Sequence, residues 1–174
     1  MRVSLKPFPG SSCEAVTALT VDIARSSSRL TLRYGVSGSI GGLLLPPATA
    51  PKPADNLWQH TCFEVFVASA GAPAYYEFNF SPSSEWAAYG FIGYREGMRN
   101  LEIAAPLIEA RSAANSYELS AALDVASLPK GAWRVGLSAV IEQASGRKTY
   151  WALAHPSAKP DFHQADSFIL ELPA

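Results

Sequence analysis

At 174 residues the chain fits one domain, 1–174, and can bury roughly 70% of the surface its unfolded form exposes, so its core needs no covalent or metal staple. Lys plus Arg number 14 against 15 Asp plus Glu, and the net charge of -1 excludes a broad cationic face for nucleic acid or acidic lipid. Thirteen Pro and twelve Gly punctuate a sequence rich in Val, Phe, Tyr and Trp, the balance of short strands joined by turns.

Met1 to Pro9 holds no continuous apolar segment able to serve as a secretion-signal core, which predicts a cytoplasmic protein. Strands are predicted over residues 15–24 and 29–36, joined by the hairpin signal Arg25-Ser26-Ser27-Ser28. The apolar run that follows is stopped by Pro46-Pro47, too short for a membrane helix. Residues 41–56, with Pro46, Pro47, Pro51 and Pro53, cannot form a ladder strand and read as a long surface loop, either a lid or padding. Further strands are predicted over 61–68, 75–80, 86–94, 107–113, 117–123, 133–143, 149–154 and 168–172. A helix over 115–128 loses to the period-two alternation of Tyr117, Leu119, Ala121 and Leu123, leaving one helical turn over 124–128 with Asp124 as its N-cap. Ten strands with short connections predict an all-β, antiparallel, jelly-roll-like β-sandwich, immunoglobulin-like in general architecture. Cys13 and Cys62 are too few for a disulfide framework and are expected to be free thiols.

Strand parity sorts the polar residues. If Phe63, Val65 and Val67 face the core, Glu64 faces outward; Glu77 and Asn79 share one face of their strand, opposite Tyr76, Phe78 and Phe80. Over 133–143 the core set is Trp133, Val135, Leu137, Ala139 and Ile141, which leaves Arg134, Gly136, Ser138, Val140 and Glu142 on an outer face sparing of bulk, where a ligand or a covering loop could lie. Two accounts fit this face: a solvated sheet with cross-strand ion pairs, or donors and acceptors for sugar hydroxyls beside stacking aromatic rings. The stretch from Tyr150 to Asp166, with His155, Lys159, Asp161 and His163 among aromatics and prolines, suits a binding rim, although Asp161 and Asp166 also suit Asx turns. Trp58 and Trp151 are the candidate stacking platforms, while Trp133 belongs to the core by parity. His60, His155 and His163 lack structural-zinc spacing, no nucleophile elbow surrounds Ser81, Ser83 and Ser84, and nothing fixes the separation of Glu64 and Glu77 for glycoside hydrolysis.

Three blocks carry a family resemblance: Leu57-Trp58-Gln59-His60-Thr61-Cys62-Phe63-Glu64-Val65-Phe66; Glu77-Phe78-Asn79-Phe80-Ser81-Pro82-Ser83 with Trp86-Ala87-Ala88-Tyr89; and Tyr150-Trp151-Ala152-Leu153-Ala154-His155-Pro156 through Lys159-Pro160-Asp161-Phe162-His163. In this order they resemble bacterial DOMON-like proteins related to type 9 carbohydrate-binding modules. The resemblance implies a β-sandwich without catalysis of its own that binds sugar in some branches and haem in others. It aligns Glu64 with the acidic strand residue and Trp58 with an aromatic that grips a terminal sugar. The expectation is a non-catalytic module that needs no cofactor and binds a carbohydrate or other small ligand. Trp58 and Trp151 stack, Glu64, Glu77, Asn79 and Arg95 bond hydroxyls, and His155, Asp161 and His163 close the rim. The alternatives are a haem-binding electron-transfer module, with Met98 and a histidine as axial ligands, and a protein-interaction domain.

Overall fold

Alternation decides the layers. In the computed structural model, which describes residues 1–11 and 13–174, β3 (Arg29–Gly38) buries Leu30, Leu32, Tyr34 and Val36 and exposes Thr31 and Arg33 between them. The same rhythm runs through β9 (Ser116–Asp124), where Tyr117, Leu119, Ala121 and Leu123 turn inward. These strands lie in a first antiparallel sheet with β2 (Val16–Arg25) beside β3 and β8 (Leu107–Ala113) beside β9.

The second antiparallel sheet runs β7 (Arg99–Asn100), β6 (Trp86–Phe91), β5 (Tyr75–Phe80), β4 (Cys62–Ser69), β10 (Trp133–Glu142) and β11 (Lys148–Ala152), with β12 (Leu170–Leu172) beside the start of β10. Its central strands are buried on both faces, unlike those of the first sheet. Phe63, Val65 and Val67 of β4, and Trp133, Val135, Leu137, Ala139 and Ile141 of β10, meet the first sheet. Burying each large apolar side chain contributes roughly 1.5–3 kcal/mol. Tyr34 also ties the layers together: its hydroxyl donates to the Glu64 carbonyl at 2.7 Å. The predicted sandwich is therefore observed, and parity assigns the core residues of both strands correctly.

The opposite face of the second sheet carries a smaller apolar cluster of Phe66, Ala68, Tyr75, Ala87, Tyr89, Phe91 and Phe168. Part of its cover comes from residues 153–169. A Cβ on Gly136 would stand 2.5 Å from the Phe168 ring, so the missing side chain is the space the covering ring occupies.

All ten predicted strands occur, with ends moved by up to three residues. The predicted 86–94 strand stops at Phe91 because Ile92 to Glu96 closes a turn with Arg95 at φ 54°. Two strands escaped the sequence reading, β1 (Arg2–Pro7) and β7. β1 buries only Leu5 and ends in Pro7, so its pattern is faint, yet it pairs with β2 through Arg2 to Leu5 and with β11 through Lys6 and Pro7. The expected turn after Asp124 is present as a single closed turn, with Leu128 N–H donating to the Val125 carbonyl at 3.0 Å and Asp124 Oδ1 capping it by accepting the Ala126 N–H at 2.7 Å. The Pro-rich segment is held as a strap along the second sheet: Leu44 N–H donates to Glu142, Thr49 N–H to Ser83 and Ala54 N–H to Trp86. Both cysteines are free, and among the described residues no helix is long and apolar enough to cross a membrane.

Candidate functional site

Antiparallel register puts the acidic residues together. Glu64 stands opposite Asn79 on one side and Ser138 on the other, and Glu77 is two pairs further along, opposite Phe66. Glu64 and Glu77 are thus diagonal neighbours on the same face of adjacent strands, the arrangement in which side chains reach each other. Both line a cavity of ≈ 500 Å³ on the outer face of the second sheet.

Each acid is held by a neighbour. Ser138 Oγ donates to Glu64 Oε2 at 2.9 Å, and Asn79 Nδ2 donates to Glu77 Oε1 at 2.8 Å. Glu64 is 3% exposed and Glu77 6%, so both pay for lost hydration. Burial, then the negative charge of Glu77, pushes Glu64 up to about 8 against the pull of Ser138 and Arg95. Burial also raises Glu77, but Asn79 and Arg95 oppose that rise. Burial thus favours the protonated form of both acids, and as close neighbours they titrate together, with oxygens that accept and a proton that can be donated side by side.

Arg95 enters from the tip of the turn between β6 and β7. Its backbone N–H donates to Tyr75 Oη at 3.1 Å, and its guanidinium meets Asp161 Oδ1 at 2.9 Å. Burial opposes ionisation of Asp161, but hydrogen bonds from Tyr94, Arg95, the His163 N–H and Gln164 outweigh it and bring the group down to about 2. This clasp fastens the turn to the covering loop. The Asx turn read from the sequence at Asp161 is present as well, through His163 N–H at 3.1 Å.

The walls are aromatic. Trp58, on the 3-10 turn Leu57–Gln59, is 53% exposed and borders the cavity with Tyr150 and Phe162. His163 forms part of the wall, edge-on to Phe66 at 5.2 Å and to Phe91 at 5.3 Å. Burial, then the positive charge of Arg95, lowers His163 to about 4 and keeps it neutral.

Of the nine candidates, Trp58, Glu64, Glu77, Arg95, Asp161 and His163 line this one cavity, and Asn79 supports it by holding Glu77. Two expectations are corrected. Trp151 is 5% exposed and packs in the inter-sheet core, because its register partner Ala139 faces inward; its indole N–H donates to Thr149 Oγ1 at 3.2 Å. The neighbour Tyr150, on the other face of β11, borders the cavity instead, and the parity already applied to 133–143 would have shown this had the β10–β11 register been known. His155 also lies off the site, edge-on to Phe8 at 5.3 Å with Nε2 donating to the Lys6 carbonyl at 2.8 Å, so it anchors the loop to β1. Lys159, Phe162 and the supporting Ser138 were not selected from the sequence; the last was visible as the one hydroxyl on the outer face of 133–143.

The residues behind the haem alternative stand apart in their bonding. His60 Nδ1 meets Glu142 at 2.8 Å, His155 meets Lys6, His163 meets Tyr75, and Met98 is 62% exposed. Among the described residues no three His, Cys, Asp or Glu side chains cluster as metal ligands.

No family model and no curated protein matches the chain. Solved structures do. A candidate carbohydrate-binding protein from Bacteroides uniformis superposes with a TM-score of 0.64 at 16% identity over 90% of this chain and 78% of its own. A carbohydrate-binding module of family 9 from Caldicellulosiruptor kristjanssonii in complex with glucose gives a TM-score of 0.55 at 11% identity, over 94% of this chain and 78% of its own. Its complex with cellotriose gives 0.59 at 12%, over 94% and 77%. The chain thus has the β-sandwich fold of family 9 carbohydrate-binding modules over nearly its whole length.

Proposed function

We propose that this domain is a non-catalytic carbohydrate-binding module whose ligand enters the Glu64–Glu77 cavity. The observation that carries the reading is a pair of buried acids, diagonal neighbours on adjacent strands, at the base of a cavity walled by Trp58, Tyr150 and Phe162. A sugar offers hydroxyls that both donate and accept, and a C–H face that stacks on aromatic rings. Arg95 and Lys159 add donors at the rim, where Asp161 pairs with Arg95. Similar folds bind glucose and cellotriose in the solved family 9 module, which supports neutral glucose-type sugars as first ligands to test. Within this reading the chain is a bacterial DOMON-like protein, on the strength of its three sequence blocks.

Isothermal titration calorimetry with glucose and cellotriose tests the assignment. Saturable binding is expected, and Trp58→Ala should weaken it about tenfold, a loss of roughly 1.4 kcal/mol, without lowering the melting temperature, since the ring is half exposed. Absence of heat at millimolar sugar across a glycan panel, or unchanged affinity in Trp58→Ala, overturns the proposal.

A further inference from the structure

The hydrogen bonds around Tyr75 fix a proton that matters to the cavity. Tyr75 is 3% exposed, and among the described residues its hydroxyl has two partners, the Arg95 backbone N–H at 3.1 Å and His163 Nδ1 at 2.8 Å. The Arg95 N–H can only donate, so the tyrosine oxygen accepts there and its own proton needs another acceptor. His163 Nδ1 is the acceptor within reach. Were Nδ1 to carry the imidazole proton, the buried Tyr75 hydroxyl would keep an unpaired proton, at a cost of about 1–3 kcal/mol. The neutral imidazole therefore holds its proton on Nε2, which lies 3.8 Å from Glu77 Oε2, beyond a direct hydrogen bond. Nε2 has no other hydrogen-bond partner among the described residues, and both His163 and Glu77 line the cavity.

We propose that Tyr75 sets His163 in the Nε2–H tautomer, so that this N–H and the Glu77 carboxylate form a donor–acceptor pair bridged by one ligand hydroxyl, which makes His163 a specificity-determining residue and Tyr75 its positioning residue. The inference rests on the sugar-binding reading of the cavity and narrows it. An oxygen placed between atoms 3.8 Å apart can lie within hydrogen-bond distance of both, accepting from Nε2 and donating to Oε2. A deoxy or methoxy group cannot do both. His163 is suited to this task because Phe66, Phe91 and Tyr75 hold its ring edge-on from three sides, leaving the tautomer as its remaining freedom.

Two measurements test it. Long-range 1H–15N NMR of the histidine rings in the sugar-free protein should show His163 protonated at Nε2 and bare at Nδ1, and Tyr75→Phe should disturb that pattern while the ring stack on Phe91, at 4.7 Å, keeps the variant folded. By calorimetry with glucose, Tyr75→Phe and His163→Ala should each bind about five- to tenfold more weakly. Among monodeoxyglucoses, the one bound worst by the wild type should be bound equally by wild type and His163→Ala, because the bridge is already missing. A proton found on Nδ1, or wild-type glucose affinity in a folded Tyr75→Phe variant, overturns the inference while leaving sugar binding intact. Failure of the wild type to bind any sugar overturns the functional reading instead, and the NMR result still decides the tautomer.

Discussion

At the scale of single residues, the cavity's character comes from what burial does to two acids. Glu64 ionises at an ordinary value of 4.5 in the unfolded chain and about 8 in the folded one. Between those values the native state keeps a proton that the unfolded state has lost. Stability therefore falls as pH rises through this window and levels off above it. Glu77, also raised, adds to the same slope. Glu64→Gln keeps an acceptor for Ser138 and removes the titrating group, so its melting temperature should decline less between pH 5 and pH 9 than that of the wild type, and should exceed it at the alkaline end by about 2–4 °C per kcal/mol relieved. Thermal melts across that range check this; parallel curves for the two proteins would show that the acid is not strained by its surroundings.

At the scale of elements, the site exists because a loop covers one half of a sheet face and leaves the other half open. Gly136 decides where the cover sits. Phe168 stacks on Phe66 at 5.6 Å over the vacant position, and Arg134 Nε donates to the Phe168 carbonyl at 3.1 Å, so ring and backbone are both fixed to β10. Gly136→Ala would force a methyl group into that ring and should destabilise the protein by about 1–3 kcal/mol, read as a lowered denaturant midpoint. Trimming the ring in the double variant Gly136→Ala/Phe168→Leu should recover part of the loss, whereas additive effects would argue against direct contact. The sparse outer face of 133–143 was legible beforehand, with a ligand and a covering loop as its two explanations. The covering loop is found at Gly136, and beside Ser138, which holds Glu64, the face opens into the cavity. Which explanation applied where was not legible, because it depends on a contact between residues 32 apart that no periodicity encodes. Trp151 failed for a related reason. Its type suggested a platform, but its register with Ala139 sends it inward.

At the scale of the whole molecule, local alternation sufficed for the layers, and pairing order did not follow from it. Most of the predicted strands bury several residues, and β8, which buries none, was found from its β-branched and apolar content instead; the two missed ones, β1 and β7, bury one residue and none. Yet β1 has the larger topological role, since among the described residues it is the strand through which the path from β7 to β8 passes from one sheet to the other. Its first four residues are bonded to β2 and its last two to β11, while the Met1 ammonium donates to the Ile23 carbonyl at 2.9 Å and His155 bonds Lys6 from the covering loop. Removing residues 1–7 would leave β2 and β11 with open edges and strip a partner from the loop that roofs the cavity. The truncated protein should retain its inter-sheet core, which β1 joins through Leu5 and partly through Val3, and so remain folded at reduced stability. Amide hydrogen exchange should then quicken in β2 and β11 far more than in β4 and β5, and sugar affinity should drop through the loosened loop even though no cavity-lining residue has been removed. Uniform loss of protection across all strands would mean instead that β1 is part of the single cooperative unit, with the two sheets unable to persist without the strand that joins them.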